Sequence, residues 1–134
     1  MLTVAYVGFG VSVREYHIPY VENRDDIKIK YIYRREEDIA QCAEYEPFYP
    51  ELIFTTDFND ILNDPQVSVV AEVMGGLKPA YDYVKALLLA GKHVVTSNKE
   101  LVAAKGAELL EIAKEKNVNF MFEASVGGGI PIIR

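Results

Sequence analysis

The first strand and the loop that follows it place the strongest constraint on how this chain can fold. An apolar run at residues 4–7 leads into Gly8-Phe9-Gly10. A strand, a glycine loop and a helix in that order open a doubly wound parallel sheet, which binds its ligand beyond the carboxyl ends of the strands. Gly8 would permit the tight turn, and Gly10 would let the backbone approach a pyrophosphate. Val13 replaces the usual third glycine, and an ordinary strand–turn–helix remains an alternative.

Strands and helices alternate along the rest of the chain. The patterns predict further strands at residues 27–33, 52–55, 67–74, 93–96 and 118–122, and helices at residues 12–23, 36–45, 57–62, 79–90 and 99–117. Asp57 would cap the helix at residues 57–62. On the last helix we place four residues on the buried side: Leu101, Leu109, Leu110 and Ile112. This alternation predicts an α/β fold, a doubly wound, mostly parallel six-stranded sheet in a three-layer sandwich. We therefore expect residues 1–134 to form a single Rossmann domain with the strand order 3-2-1-4-5-6.

The composition narrows the class of protein. The chain has 134 residues and a net charge of -6, which argues against a nucleic-acid partner. No apolar run reaches membrane-spanning length and no basic segment precedes the first strand, so we expect neither a membrane partner nor a targeting segment. The single cysteine, Cys42, excludes an internal disulfide and is consistent with a cytoplasmic location.

The residues that end the second strand indicate which dinucleotide would bind. An acid there bonds the ribose 2′-hydroxyl of NAD, whereas arginine accommodates the 2′-phosphate of NADP. Here Arg34 and Arg35 follow Tyr33, and the first acid is Glu36. Because guanidinium pairs with phosphate through charge-assisted hydrogen bonds, we predict NADP as the cofactor, with NAD as the alternative. If no nucleotide binds, the two arginines are a solvated basic pair.

Two further strand ends converge on the same edge of the predicted sheet. Gly75 and Gly76 follow the fourth strand and would let the backbone approach a ribose or the nicotinamide. Thr96 ends the fifth strand, and its hydroxyl would face the crevice and contact the cofactor. Lys99 follows it closely enough to orient a carbonyl substrate there. The segment from Thr96 to Asn98 also suits an N-cap for the next helix, and both roles can hold together.

The last segment of the chain combines an acid, glycines and an apolar surface. Glu123 and the glycines at residues 127–129 could form an oxygen-ligand cation site, because irregular backbone exposes carbonyl oxygens. A hinge that leads away from the sheet is an equally good interpretation. Ile130, Ile132 and Ile133 make the same segment apolar, which predicts association into a homodimer or packing back onto the sheet.

The two halves of the chain resemble different families. Residues 2–70 resemble the cofactor domain of the glucose–fructose oxidoreductase and inositol dehydrogenase family, through Gly8-Phe9-Gly10, His17-Ile18-Pro19-Tyr20, Tyr33-Arg34-Arg35 and the segment at residues 57–67. Residues 71–134 resemble homoserine dehydrogenase, through Glu72-Val73-Met74-Gly75-Gly76 and the segments at residues 90–99 and 122–134. Lys99 suits either family, and its neighbours Asn98 and Glu100 suit only homoserine dehydrogenase, whereas Val13 departs from it. A chimera, natural or engineered, spliced near residue 70 is one interpretation.

The resemblance to homoserine dehydrogenase implies a chemistry and a set of site residues. It implies hydride transfer between a nicotinamide cofactor and homoserine or aspartate semialdehyde, with Lys99 near the nicotinamide as the catalytic candidate. It also implies a sodium ion held by Glu123 and by the carbonyls of Val126, Gly128 and Ile130. The resemblance to both families implies cofactor contacts along Gly8-Phe9-Gly10.

Both families carry a substrate domain after this point, so we expect that domain to be absent and the chain to bind cofactor without catalysing alone. Two alternatives stay open: an engineered or recombined scaffold whose cofactor site does not function, and a truncated reductase of the sugar or inositol dehydrogenase type.

Overall fold

The computed structural model describes residues 2–8, 24–36, 43 and 46–122. Within these ranges six strands form one sheet: β1 (Leu2–Val7), β2 (Ile27–Tyr33), β3 (Ile53–Thr55), β4 (Val69–Glu72), β5 (His93–Thr96) and β6 (Phe120–Phe122). The helices are α1 (Phe58–Leu62), α2 (Ala80–Leu89) and α3 (Lys99–Lys116), with a short 3-10 helix at Glu46–Phe48. The helices predicted at residues 12–23 and 36–45 lie wholly or largely outside the described residues.

The strand order confirms the predicted doubly wound topology. The sheet runs β3-β2-β1-β4-β5-β6, and all five pairings are parallel. β1 and β4 are neighbours at the centre, and the order of the chain reverses between them. Sheets of this kind bind their ligands in the crevice beyond such a reversal. The topology therefore predicts that a ligand binds at the residues that follow β1 and β4.

β4 is shorter than the apolar run that predicted it. The prediction covered residues 67–74, but the strand covers only Val69–Glu72. It ends there because the carboxylate of Glu72 accepts a hydrogen bond from the backbone N–H of Met74, at 2.9 Å. A side chain thus takes the donor that a continuing strand would have given to its neighbour.

The core occupies both faces of the sheet, as the alternation of side chains along β1 requires. Ala5 and Val7 face a large cluster that includes the buried residues of the helices, among them Val84, Leu87, Leu101 and Leu109. Val4 and Tyr6 face a smaller cluster on the opposite side, with Ile29 and Ile32. Among the described residues, no helix is both long enough and apolar enough to cross a membrane.

The predicted burial of Leu110 in α3 is wrong. Leu109 is fully buried, whereas Leu110 is 50% exposed. Each residue of an α-helix is rotated by about 100° from the one before it, and in α3 this rotation carries Leu110 out of the face that Leu109 presents to the core. The helix presents Leu101, Leu109 and Ala113 to the core instead.

α1 and α3 begin directly after their predicted capping residues. Asp57 caps α1, since its Oδ1 accepts the backbone N–H of Asn59 at 3.0 Å. Asn98 caps α3, since its Oδ1 accepts the backbone N–H of Leu101 at 3.1 Å. These bonds satisfy donors that the first helical turn leaves without a partner, and they fix where each helix begins.

A polar cluster lies beside the amino ends of β4 and β5. The carboxylate of Asp64 accepts hydrogen bonds from Lys30 Nζ at 2.6 Å, from the hydroxyl of Tyr31 at 2.8 Å and from the backbone N–H of Gln66 at 2.9 Å. The Lys30 bond is the main reason that the pKa of Asp64 is lowered to about 2. Lys92 is buried, and its Nζ donates to the carbonyls of Asp64 and Val67. These hydrogen bonds connect the segment that precedes β4 to β2 and to Lys92, which precedes β5.

Candidate functional site

Gly8 forms the turn at the end of β1 and lies directly against the end of β4. Its φ is 118°, and its backbone N–H donates to the carbonyl of Tyr33 at 3.0 Å. A Cβ at this position would lie 2.9 Å from Val73 Cγ2 and 3.1 Å from the Val73 carbonyl carbon. Both the dihedral angle and the packing therefore require glycine. Phe9 and Gly10, which complete the predicted loop, lie outside the described residues.

Gly75 and Gly76 form the turn that follows β4. Their φ angles are 84° and 75°, and a Cβ on either residue would have no atom within 4 Å. Glycine is thus required here by the backbone conformation alone, and the space beside both residues is open to a ligand. The carbonyl of Gly76 accepts a hydrogen bond from Asn98 Nδ2 at 2.6 Å, which anchors the second half of the turn.

Arg34 follows β2 at the same edge of the sheet. Its backbone N–H donates to the carbonyl of Thr55 at 3.0 Å, and its guanidinium carbon lies 6.0 Å from the ring centroid of Phe54. Its Nε is buried and has no hydrogen-bond partner in the part of the chain that the structure describes. A buried N–H without an acceptor is costly, and a ligand oxygen would remove that cost. Arg35, the second predicted arginine, is exposed.

A buried polar cluster underlies the ends of β4 and β5. Glu72 and Thr96 are the last residues of the two strands, pair across the sheet and are fully buried. The hydroxyl of Thr96 donates to Glu72 Oε1 at 2.6 Å, and Glu72 Oε2 accepts the Met74 N–H. Thr96 Oγ1 also accepts the backbone N–H of Asn98 at 3.0 Å. The Thr96 hydroxyl is thus engaged in hydrogen bonds inside the protein. Its predicted contact with a cofactor stays a prediction.

Asn98 connects this cluster to α3. Its Nδ2 donates to the Gly76 carbonyl and, at the longer distance of 3.4 Å, to Glu72 Oε2, while its Oδ1 caps the helix. Lys99 is the next residue, the first of α3, and it is exposed. The structure therefore brings Lys99 and the Gly75-Gly76 turn together around one asparagine, at the edge where the sequence predicted them.

Glu72 belongs to the site although it was not predicted as a site residue. The sequence pattern places it in an apolar strand and in a family motif. The signal was available, because an acid inside a central strand must be buried and must find hydrogen-bond donors. The identity of those donors, Thr96, Met74 and Asn98, depends on the pairing of β4 with β5 and could not be read from the sequence.

The predicted cation ligands cannot be placed in the site. Glu123, Val126, Gly128 and Ile130 lie outside the described residues, as do the isoleucines of the last segment. Within the ranges that the structure describes, there is no group of three or more His, Cys, Asp or Glu residues that could hold a metal ion. The sodium site stays a prediction.

Comparison with known proteins finds a family model of a dehydrogenase domain and relatives that are oxidoreductases. The family model described as "Homoserine dehydrogenase, NAD binding domain" matches residues 20–123. Homoserine dehydrogenase of Bacillus subtilis (strain 168) is 49% identical over 85 residues, which cover 63% of this chain and 20% of that protein. The uncharacterized oxidoreductase YhhX of Escherichia coli (strain K12) is 36% identical over 120 residues, which cover 88% of this chain and 34% of that one.

Solved structures show the same likeness. The crystal structure of S. aureus homoserine dehydrogenase at pH 6.0 superposes with a TM-score of 0.79 at 36% identity, covering 97% of this chain and 35% of the other. The chain thus spans about a fifth to a third of the length of the proteins that it matches.

Proposed function

The chain belongs to the family of homoserine dehydrogenase NAD-binding domains, and we propose that it binds NADP(H) at the carboxyl edge of its sheet. The observation that carries the proposal is the pair of glycine turns at the centre of that edge. β1 and β4 are adjacent, and they lead into Gly8 and into Gly75-Gly76, all three with positive φ. Such turns bring backbone N–H groups close to a pyrophosphate and a ribose.

The preference for NADP over NAD rests on Arg34. Its buried Nε lacks an acceptor among the described residues, and a 2′-phosphate oxygen would supply one. Arg35 adds a second positive charge at the end of the same strand, and the next residue, Glu36, is exposed. An arginine at this place accommodates the extra phosphate, whereas NAD is usually read by an acid.

The activity of the whole protein would be hydride transfer between the nicotinamide and homoserine or aspartate semialdehyde. The bound cofactor would supply or accept the hydride. In this chain, Lys99 would donate a hydrogen bond to the oxygen of the reacting group and hold the substrate in line with the nicotinamide. Support for this role is its exposed position at the start of α3, beside the Gly75-Gly76 turn that receives the cofactor.

A sodium ion held by Glu123, Val126, Gly128 and Ile130 is also part of the proposal, and the resemblance to homoserine dehydrogenase is its support. Exchange of sodium for a large organic cation should weaken cofactor binding if the ion orders the end of the cofactor domain. An affinity that does not depend on the cation would count against the site.

The test of the proposal is a titration of the chain with NADPH and NADH, followed by nicotinamide fluorescence. Arg34→Ala should raise the Kd for NADPH by about tenfold or more, because a charge-assisted hydrogen bond contributes about 1.5–3 kcal/mol. The Kd for NADH should change by less than about twofold. Equal losses for both cofactors would show that Arg34 does not read the 2′-phosphate.

Arg24→Ala is the matched control for this experiment. Arg24 precedes β2, at the opposite end of the strand from Arg34, and pairs with Asp26 at 2.7 Å on an exposed surface. The control removes the same charge and should leave both affinities unchanged. A loss of NADPH affinity in the control would show that only overall charge is being measured.

We propose as a second candidate that the chain is the cofactor part of a reductase of the sugar or inositol dehydrogenase type. Support comes from the resemblance of residues 2–70 to that family. The match to YhhX covers 88% of this chain and so extends across residue 70, but it names only an uncharacterized oxidoreductase. Assay of the full encoded protein with homoserine and with inositol separates the candidates.

The chimera is tested by two phylogenetic trees, one built from residues 2–70 and one from residues 71–134. Trees with the same branching order would contradict a splice near residue 70.

A further inference from the structure

Glu72 is a buried acid in a position where the fold alone would favour an apolar residue. It ends the central strand β4, is fully buried and accepts hydrogen bonds from Thr96, Met74 and Asn98. Within the described ranges no lysine, arginine or histidine forms an ion pair with it. Burying a carboxylate is expensive unless it is well bonded, so an apolar side chain would stabilise the strand at least as well. The reason for an acid at this position therefore lies in the segments that the Glu72 carboxylate holds in place.

Three segments of the chain meet on this one carboxylate. Thr96 is the end of β5, Met74 begins the turn after β4, and Asn98 is the cap of α3. Asn98 in turn bonds the carbonyl of Gly76. The bonds of Glu72 therefore fix the Gly75-Gly76 turn and the first turn of α3 relative to each other.

We infer that Glu72 is a positioning residue of the cofactor site, which holds the Gly75-Gly76 turn and Lys99 in the geometry that receives the nicotinamide half of the dinucleotide. The inference rests on the proposed function. Arg34, after β2, is assigned to the 2′-phosphate of the adenosine half, so the turns after β4 and β5, on the other side of β1, are left for the nicotinamide half. Glu72 does not touch the cofactor itself, because it is fully buried.

The experiment compares two exchanges of a carboxylate for an amide. Glu72→Gln keeps the shape of the side chain, but it removes the negative charge and leaves one acceptor oxygen in place of two for the donors of Thr96, Met74 and Asn98. Asp64→Asn is the matched control, because Asp64 also accepts three hydrogen bonds from the protein but lies beside the amino ends of β4 and β5. Both variants are titrated with NADPH and with adenosine 2′,5′-bisphosphate, which lacks the nicotinamide half.

The expected result is selective. Glu72→Gln should raise the Kd for NADPH by about tenfold and change the Kd for the bisphosphate by less than about twofold. Asp64→Asn should change neither Kd by more than about twofold, although both variants melt at a lower temperature. A purely structural role for Glu72 would lower stability and weaken both ligands alike.

Three outcomes overturn the inference: a folded Glu72→Gln that binds NADPH as the parent does, an equal loss of both ligands, or the same loss in Asp64→Asn. If Glu72→Gln does not fold, Asn98→Ser takes its place, because serine keeps an N-cap and removes the amide donor to Gly76 and Glu72. The same selective pattern is expected, and its absence contradicts the inference. A parent chain that binds neither ligand removes the proposed function and the inference together, whereas retained binding in the variants removes the inference alone.

Discussion

Replacing Gly8 with alanine should destabilise the fold by about 2–6 kcal/mol, which combines two costs. A φ of 118° lies outside the regions that alanine occupies, and such backbone strain costs about 1–3 kcal/mol. The new Cβ would also lie 3.1 Å from the carbonyl carbon of Val73, and overpacking costs about 1–3 kcal/mol. Because this neighbour is backbone, β1 and the end of β4 would have to separate. The loss is a large fraction of a typical domain stability of about 5–15 kcal/mol.

Urea denaturation followed by circular dichroism measures this loss, and two other glycines provide controls. Gly91→Ala imposes a φ of 84° with no atom within 4 Å of the new Cβ, so it measures the dihedral cost alone, about 1–2 kcal/mol. Gly106→Ala lies in α3, where its Cβ would meet Val102 Cγ1 at 3.4 Å, and should be neutral or stabilising by up to about 1 kcal/mol. If Gly8→Ala costs no more than Gly91→Ala, the packing argument is wrong.

Three other predictions follow from features of the sheet, the helices and the site. The pKa of Asp64 is lowered from 3.8 to about 2, so its contribution of about 2 kcal/mol is present above the unfolded pKa and is lost as the pH falls from about 4 to about 2. Acid titration of stability should show this loss, and Asp64→Asn should flatten it. Leu109→Ala should cost about 2–5 kcal/mol in urea and Leu110→Ala less than about 1, whereas equal losses would contradict the rotation of α3. With NADP and excess homoserine the chain alone should form no measurable NADPH, because the substrate must be held against the nicotinamide; turnover that disappears in Lys99→Ala would place the active site within these residues.

Much of the fold could be predicted because its signals are local. β2 and β5 have the predicted bounds, since β2 alternates β-branched and aromatic residues with two lysines and β5 is a short, mainly β-branched run. Asp57 and Asn98 cap their helices as predicted, because capping depends on neighbouring residues alone. The strand order follows from right-handed crossovers and from the position of the first glycine loop.

The parts that could not be predicted depend on contacts between distant segments. Whether Leu109 or Leu110 faces the sheet is decided by how α3 rotates against α2 and the strands. The end of β4 is set by the bond between Glu72 and Met74, and the buried position of Thr96 by the pairing of β4 with β5. The sequence therefore identifies the residues at the carboxyl edge of the sheet. It does not distinguish the exposed residues, which can contact a ligand, from the buried residues that position them.

The pairing of β1 with β4 has a consequence for the order in which the molecule folds. β4, β5 and β6 pair with their neighbours in the chain, as do β1, β2 and β3, whereas Val4 of β1 pairs with Val69 of β4 across half the chain. Local pairings form with a small loss of chain entropy, and distant ones form later. Each half of the sheet is thus expected to assemble by itself, and docking of β1 against β4 completes both the central sheet and the close packing of Gly8 on Val73. In a population of half-assembled molecules, secondary structure would precede any capacity to bind a nucleotide.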